Sequence, residues 1–376
     1  MRSLGIYLHV PFCVQKCLYC DFCSFAQAES SLREDYVREL CRRIEAKRGW
    51  MTDSLVNTVY FGGGTPTLLS AEQFSQIFGA LHRSCHFAED CEITCECNPA
   101  TADLEKLRAL REMGVNRLSI GLQSVHNEEL RRIGRIHSYE DFLQTFHDAR
   151  RAGFDNISVD LMYALPEQSL CGFEESLTKL SELSPEHISV YGLKIEDGTP
   201  FAQMRHSLIL PDEDLEYEMY LACSRVLARY GYHKYEISNF SKVGYESRHN
   251  LRYWQGEEYL GFGVAAHSYF LGERFGNSRD LTAFLRGEEI LQEQSYLTKS
   301  DLQNEYIMLR LRLSEGIDER EFEQRFGISL RSIAPDLDRW IKGGLLKESQ
   351  GRIAFTDRGF FVSNAILSEL LTLAEV

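Results

Sequence analysis

Short apolar runs of β type alternate regularly with stretches of helical periodicity over the first half of this 376-residue chain. Six runs are typical of strands, at 5–10, 56–61, 92–96, 117–122, 156–162 and 187–193. Apolar residues at helical spacing fill the intervals, at 32–47, 71–81, 104–113, 138–152 and 170–183. This alternation predicts βαβ units and a parallel sheet. Six such units favour a partial or full (β/α) barrel over a doubly wound sheet, although periodicity alone does not separate the two.

The regular alternation of predicted strands and helices ends near residue 200. One long amphipathic helix is predicted over 212–230, then a strand over 232–240 and a segment rich in aromatic residues and glycine over 251–270. The last part predicts helices at 301–313, 319–326 and 330–342, strands at 345–348 and 353–356, and a helix from 358. We therefore expect a (β/α)6-type barrel core (1–200), a barrel-completing extension (201–297) and a smaller α+β, winged-helix-like module (298–376).

The charge balance limits the partners. Asp and Glu number 56 against 41 Lys and Arg, for a formal net charge of −15. Such a chain repels phosphate backbones and anionic membrane surfaces, which predicts no nucleic-acid partner and at most peripheral membrane contact. No apolar run approaches the roughly 20 residues needed to span a bilayer. Without a signal-peptide pattern at the start, the cytoplasm is the expected location.

A C-x3-C-x2-C pattern, formed by Cys13, Cys17 and Cys20, follows the first predicted strand directly. Thiolates on one short loop suit three irons of a [4Fe–4S] cluster and leave the fourth iron open to a cofactor or substrate. A structural zinc site would use four ligands. Cys23 is a candidate fourth ligand, and that alternative stays open. The cysteines around the third strand have no C-x2-C pair, so we interpret them as core residues.

The segment Tyr7-Leu8-His9-Val10-Pro11-Phe12-Cys13, continued by Cys17, Tyr19 and Cys20, resembles the radical S-adenosylmethionine (SAM) proteins related to oxygen-independent coproporphyrinogen III oxidase (HemN). Within that group it most resembles the heme chaperones of the HemW type. The resemblance covers nearly the whole chain. It implies a TIM-barrel-like radical SAM domain, whose open iron binds the amino and carboxylate groups of SAM and whose one-electron reduction cleaves SAM.

Polar residues after successive predicted strands point to one rim of the barrel, where (β/α) barrels place their active sites. Consecutive glycines in Gly62-Gly63-Gly64-Thr65-Pro66 allow close backbone approach, and their N–H groups are suited to a carboxylate. The resemblance assigns SAM contacts to Tyr7, Gly63, Gly64, Thr65, Glu96, Gln123, Arg135 and Asp160. Individually, each also has an ordinary structural interpretation as a turn, a surface amide or a solvated charge.

Two features separate chaperone from oxidase within the resemblance. Phe22 stands where the oxidases carry a further cysteine, and Tyr7 lies much closer to the start than in the oxidases. A third feature is an HNxxYW pattern from His249 to Trp254, associated with heme in the HemW group. His249 is a candidate axial ligand, with His267 and Cys23 as rivals.

The leading hypothesis is a protein with a [4Fe–4S] cluster, SAM and heme that delivers heme to apo-hemoproteins and requires an electron donor. The alternatives are an oxygen-independent coproporphyrinogen III oxidase and a radical SAM enzyme with an unrelated substrate. No catalytic residue is assigned, and enzymatic activity stays an open question at this point.

Overall fold

Six parallel strands form the centre of the computed structural model, which describes residues 1–372. They are β1 (Arg2–Val10), β2 (Ser54–Gly63), β3 (His86–Cys97), β4 (Arg117–Gln123), β5 (Ile157–Tyr163) and β6 (His187–Gly192). Each pairs in parallel with the next along the chain. This order is the one that consecutive βαβ units produce, and it confirms the predicted parallel sheet.

The main helices follow these strands, and all but the first begin at a side chain that caps the N-terminus. They are α1 (Ser30–Ala46), α2 (Ala71–Ser84), α3 (Leu104–Glu112), α4 (Tyr139–Arg151), α5 (Leu170–Glu182) and α6 (Glu213–Ala228). Ser70 and Ser138 form capping boxes with Gln73 and Asp141, and Asp212 accepts from the backbone N–H of Leu215. Shorter helices span Arg48–Met51, Asn127–Arg132 and Pro200–Met204.

Residues beyond the sixth strand widen this sheet at both edges. The added strands are β7 (His233–Lys234), β8 (Asn239–Ser241), β9 (Tyr259–Phe262), β10 (His267–Phe270), β11 (Glu273–Asn277) and β12 (Leu291–Tyr296). β9 lies parallel to β1, whereas β8 pairs with β6 in antiparallel orientation. The order is β12-β11-β10-β9-β1-β2-β3-β4-β5-β6-β8-β7, an open sheet of twelve strands and a partial barrel. The extension thus lengthens the sheet and does not complete the barrel, because β7 and β12 remain as edges in the described part of the chain.

Two elements that were predicted to be continuous are each divided in two in the structure. The strand expected over 232–240 is two short strands that fold back on each other, with Phe240 opposite Lys234. The turn between them is held by Glu236, whose carboxylate accepts from the N–H of Ser238. The helix expected over 330–342 is split into Leu330–Ile333 and Leu337–Lys342. Pro335 lies in the gap, where it lacks a backbone donor and disfavours helical geometry in the residue before it.

The C-terminal module is a small sheet covered by helices. Its strands are Ile317–Asp318, Leu346–Ser349 and Arg352–Phe355, with the last in the centre. Its further helices are Lys299–Arg310, Glu319–Phe326, Asp357–Phe361 and Ser363–Thr372. Lys234 contacts Asp357 across the boundary, with Nζ 2.6 Å from the carboxylate oxygen. Two short helices remain in the extension, Arg248–Gln255 and Leu281–Leu285.

Apolar side chains from sheet and helices form one large continuous core. All seven residues of β4 are buried, as expected for a central parallel strand covered on both faces. Within residues 1–372, no helix combines the length and the apolar character needed to cross a membrane.

Candidate cofactor site

A cavity of about 670 Å³ opens at the carboxyl ends of the central strands. This volume lies within the range of about 300–1,000 Å³ that is usual for ligand pockets. Ten of the residues singled out in the sequence line it: Cys13, Cys17, Cys20, Gly63, Gly64, Thr65, Glu96, Gln123, Arg135 and Asp160. The structure therefore brings the cysteine loop and the strand-end residues to one site.

The cysteine loop is held in place by backbone bonds to several elements. The N–H of Gln27 donates to the carbonyl of Cys13, and the N–H of Cys20 donates to that of Cys17. Leu18 donates to the Ile133 carbonyl and accepts from the N–H of Phe201, at 3.1 and 3.0 Å. Burial raises the pKa of the Cys13 and Cys20 thiols. All three thiols are partly exposed and free of disulfides, so they can serve as ligands.

The backbone N–H groups of the glycine run are bonded within the protein. The N–H of Gly63 donates to Glu96 Oε2 at 3.1 Å, and those of Gly64 and Thr65 donate to the carbonyls of Val10 and Phe12. These three N–H groups are therefore used inside the protein and do not form an open anion site. The glycines serve close packing instead: a Cβ on Gly64 would lie 2.6 Å from the Phe12 carbonyl oxygen.

Gly64→Ala is expected to destabilise the protein by about 1–3 kcal/mol and to lower iron incorporation, because the added methyl group collides with the backbone next to Cys13. Urea unfolding of the metal-free chain and iron analysis after reconstitution measure the two effects. Gly49→Ala is the matched control, since a Cβ there has no neighbour within 4 Å. Equal stability of the two variants would contradict this packing role.

Two acidic side chains face the cavity, and neither has a directly bonded cation among residues 1–372. Glu96 accepts from the Tyr60 hydroxyl at 3.0 Å and from Gly63, and Asp160 accepts from Ser119 at 3.3 Å. Burial, followed by the nearby Asp160 charge, raises the pKa of Glu96 to about 7. Burial also raises the pKa of Asp160. A cationic ligand in this cavity would stabilise both carboxylates in their charged form.

Arg135 connects the cysteine loop to the sheet. Its guanidinium donates to the Gly121 carbonyl and to Asn98, and its Nη1 lies 3.5 Å from Cys17 Sγ. Its Nε is buried without a hydrogen-bond partner in the described part of the structure, which leaves one donor for a ligand. Gln123 has a φ of 73°, unusual outside glycine, and accepts from the Tyr191 hydroxyl at 3.2 Å.

The cavity also contains residues that the sequence analysis missed. Tyr60, Asn98, Arg117, Tyr191 and Asn250 all line it. Asn98 lies two positions after Glu96, directly beyond the end of β3. It could therefore have been predicted, because active-site residues of (β/α) barrels follow the carboxyl ends of the strands. Tyr60 and Tyr191 lie inside strands and Arg117 begins β4, and no local pattern indicates these three. Asn250 belongs to the HNxxYW pattern, but the pattern did not predict that its side chain lines this cavity.

Two predicted residues do not line this cavity. Tyr7 lines a neighbouring cavity of about 300 Å³, and its hydroxyl is 3.0 Å from His9 Nδ1. His249 is 1% exposed, with Nδ1 bonded to the Thr58 hydroxyl and Nε2 to the Tyr253 hydroxyl, each at 2.8 Å. Burial, followed by Arg252 and Arg117, lowers its pKa to about 3. As placed, His249 is a saturated core histidine, and the structure contradicts an open axial-ligand position for it.

The cysteines around β3 are core residues, as predicted. Cys95 and Cys97 are buried and carry raised pKa values because of that burial. Among residues 1–372, no three His, Cys, Asp or Glu side chains are arranged to hold a single metal ion, and this includes the loop thiols. All three loop thiols line the large cavity.

A thiol loop at the first strand, facing a cavity with half-buried acids on parallel strands, defines the class as radical SAM. Residues 7–180 match the Radical SAM superfamily, and residues 297–362 match the HemN C-terminal domain. The solved structure of coproporphyrinogen III oxidase (HemN) from Escherichia coli shares the fold at a TM-score of 0.85, with 23% identity over 100% of this chain and 90% of that one.

Curated relatives make the assignment more specific. The chain is 34% identical to the heme chaperone HemW of Haemophilus influenzae over 99% of both chains. It is 35% identical to HemW of Bacillus subtilis, over 97% of this chain and 98% of the relative. HemW of Escherichia coli is also 35% identical, over 99% of both chains. The chain belongs to the HemW family of radical SAM proteins.

The family brings a [4Fe–4S] cluster and SAM as cofactors. The residues present fit both: three free thiols share the large cavity with two half-buried carboxylates and with an Arg135 Nε that has no hydrogen-bond partner among residues 1–372. When bound, the cluster supplies one-electron reduction to the cofactor beside it.

Proposed function

We propose that this protein is a heme chaperone, which binds heme and delivers it to apo-hemoproteins. The full-length similarity to proteins named heme chaperone HemW is the observation that carries the proposal. We further propose that Cys13, Cys17 and Cys20 hold the cluster and that Glu96, Gln123, Arg135 and Asp160 contact SAM. Their common cavity supports this assignment.

Phe22 supports the chaperone over the oxidase. Its side chain is 66% exposed and lines both cavities, so an apolar ring occupies the position of the oxidase's extra cysteine. An exposed phenyl ring at this place is suited to a flat apolar ligand. Delivery further requires a recipient hemoprotein, and use of the cluster requires an electron donor. We also infer a cytoplasmic location, because all eleven cysteines are free, as is usual in a reducing compartment.

Anaerobic titration of the reconstituted protein with hemin tests the proposal. We expect saturable binding at one heme per chain, followed by transfer to an apo-hemoprotein such as apomyoglobin. Failure of the wild-type protein to bind hemin would remove the chaperone function. Vinyl products from coproporphyrinogen III, SAM and a reductant would instead establish the oxidase.

A further inference from the structure

A second cavity, of about 300 Å³, lies beside the cofactor site on the other side of the cysteine loop. Phe22 borders both cavities, and the wall of the second one is strongly aromatic. Tyr253 and Tyr259 meet edge to face at 4.6 Å within this wall. Aromatic walls favour flat apolar ligands, and the open shape admits one edge of a macrocycle.

His267 presents an accessible imidazole to this cavity. Its side chain is 58% exposed and begins strand β10. Its Nδ1 lies 3.9 Å from Glu293 Oε2, which is too far for a hydrogen bond, so this carboxylate leaves the imidazole available to a metal ion. Gly276 stands opposite on β11, and a Cβ there would come within 2.9 Å of the imidazole ring. The glycine therefore makes room for this ring position.

The HNxxYW helix contributes to the same cavity without offering its histidine. Tyr253 lines the wall, and its hydroxyl is bonded to His249 Nε2. Asn250, one residue after His249, faces the cofactor cavity instead. His249 is thus a positioning residue that fixes Tyr253 from behind.

A cation stands at the edge of the cavity. The Arg279 side chain is 59% exposed, and its nearest carboxylate, Asp21, is 3.9 Å away. So loose a surface pair contributes little and leaves the guanidinium available to a carboxylate of a ligand. Cys23 also borders the cavity, but its thiol is directed at the Arg279 carbonyl, 3.8 Å away.

We propose that this second cavity is the heme-binding site and that His267 Nε2 is the axial ligand. Tyr253 and Tyr259 stack against the macrocycle, and Arg279 binds a propionate. The inference rests on the proposed heme-binding function. It places heme next to the cluster loop, with Phe22 between the heme and the SAM cavity.

Hemin titration of the reconstituted, full-length His267→Ala variant tests the proposed heme-binding site. We expect affinity to fall by ~10–100-fold and the Soret band to shift, since the iron loses a protein ligand. Added imidazole should restore the wild-type spectrum. Binding of iron-free protoporphyrin IX, followed by quenching of protein fluorescence, should remain, because the aromatic wall is intact.

Two further variants separate the outcomes. His206→Ala changes an exposed histidine away from this cavity and should bind hemin as the wild type does. His249→Gln should retain the wild-type Soret position even if affinity falls. A wild-type Soret spectrum in His267→Ala would disprove this heme-binding site but would not contradict the chaperone function. If a folded His249→Gln variant lost the wild-type Soret spectrum, the axial ligand would be His249 of the HNxxYW motif and not His267. If the wild-type protein bound no hemin, the proposed chaperone function itself would be wrong.

Discussion

Cys17→Ala is expected to abolish the iron–sulfur cluster while the chain still folds. Three thiolates are the smallest set that holds the cluster with one iron open, so removing one leaves too few ligands. Iron and sulfide per chain should fall to near zero after anaerobic reconstitution, and the brown visible absorption should disappear. SAM binding that depends on the open iron should be lost with it.

The fold should survive because the loop is attached by backbone bonds that do not involve metal. Leu18 is bonded to Ile133 and Phe201, and Gln27 is bonded to Cys13. The Cys17 thiol itself is partly exposed and lies 3.5 Å from Nη1 of the Arg135 guanidinium. The far-ultraviolet circular dichroism of Cys17→Ala should therefore match that of the metal-free wild type.

Two cysteine controls make this result specific. Cys171→Ala removes an exposed thiol from α5 and should leave the cluster unchanged. Cys23→Ala decides the ligand set, because Cys23 is the remaining thiol near the loop. Complete loss of the cluster in Cys23→Ala would show that four cysteines, not three, hold it.

Glu96→Gln is expected to weaken SAM binding by ~10–100-fold, the loss that accompanies removal of a charge-assisted hydrogen bond. SAM carries a sulfonium and an ammonium group, and Glu96 is a half-buried acid at the carboxyl end of β3. The amide keeps the size of the side chain and removes only the charge. Isothermal titration of the reconstituted protein with SAM measures the difference, with the exposed Glu105→Gln on α3 as control.

The pH dependence gives an independent readout. The pKa of Glu96 lies at about 7, so the carboxyl group is largely protonated below neutrality in the protein without SAM. Binding of a cation favours the ionised form, so SAM affinity should fall as pH drops below 7, by up to about tenfold per pH unit. Glu96→Gln should show a much flatter profile. An unchanged affinity and slope in this variant would exclude contact between Glu96 and the SAM cation.

Local patterns predicted much of the site because the βαβ repeat has a fixed geometry. Strands that are parallel and consecutive bring their carboxyl ends to one edge, so Gly63, Glu96 and Gln123 had to approach each other. The same repeat did not predict Arg117, which is the first residue of β4, or Tyr191, which lies within β6, although both line the cavity. Their exposure to the cavity depends on how the sheet curves, and curvature is not encoded in the alternation.

The sequence by itself determined the class of protein. Three cysteines at fixed spacing after a first strand, and the strand–helix alternation that follows, are short-range features that survive any arrangement of the rest. Tertiary structure alone decided which groups are free to bind. Thr58 reaches His249 from 191 positions away and, together with Tyr253, saturates its ring, while Gly276 leaves room for the exposed ring of His267. A side-chain atom that is already hydrogen-bonded to a distant residue is not free to bind a ligand. The spacing of residues within a motif does not show whether such a bond exists.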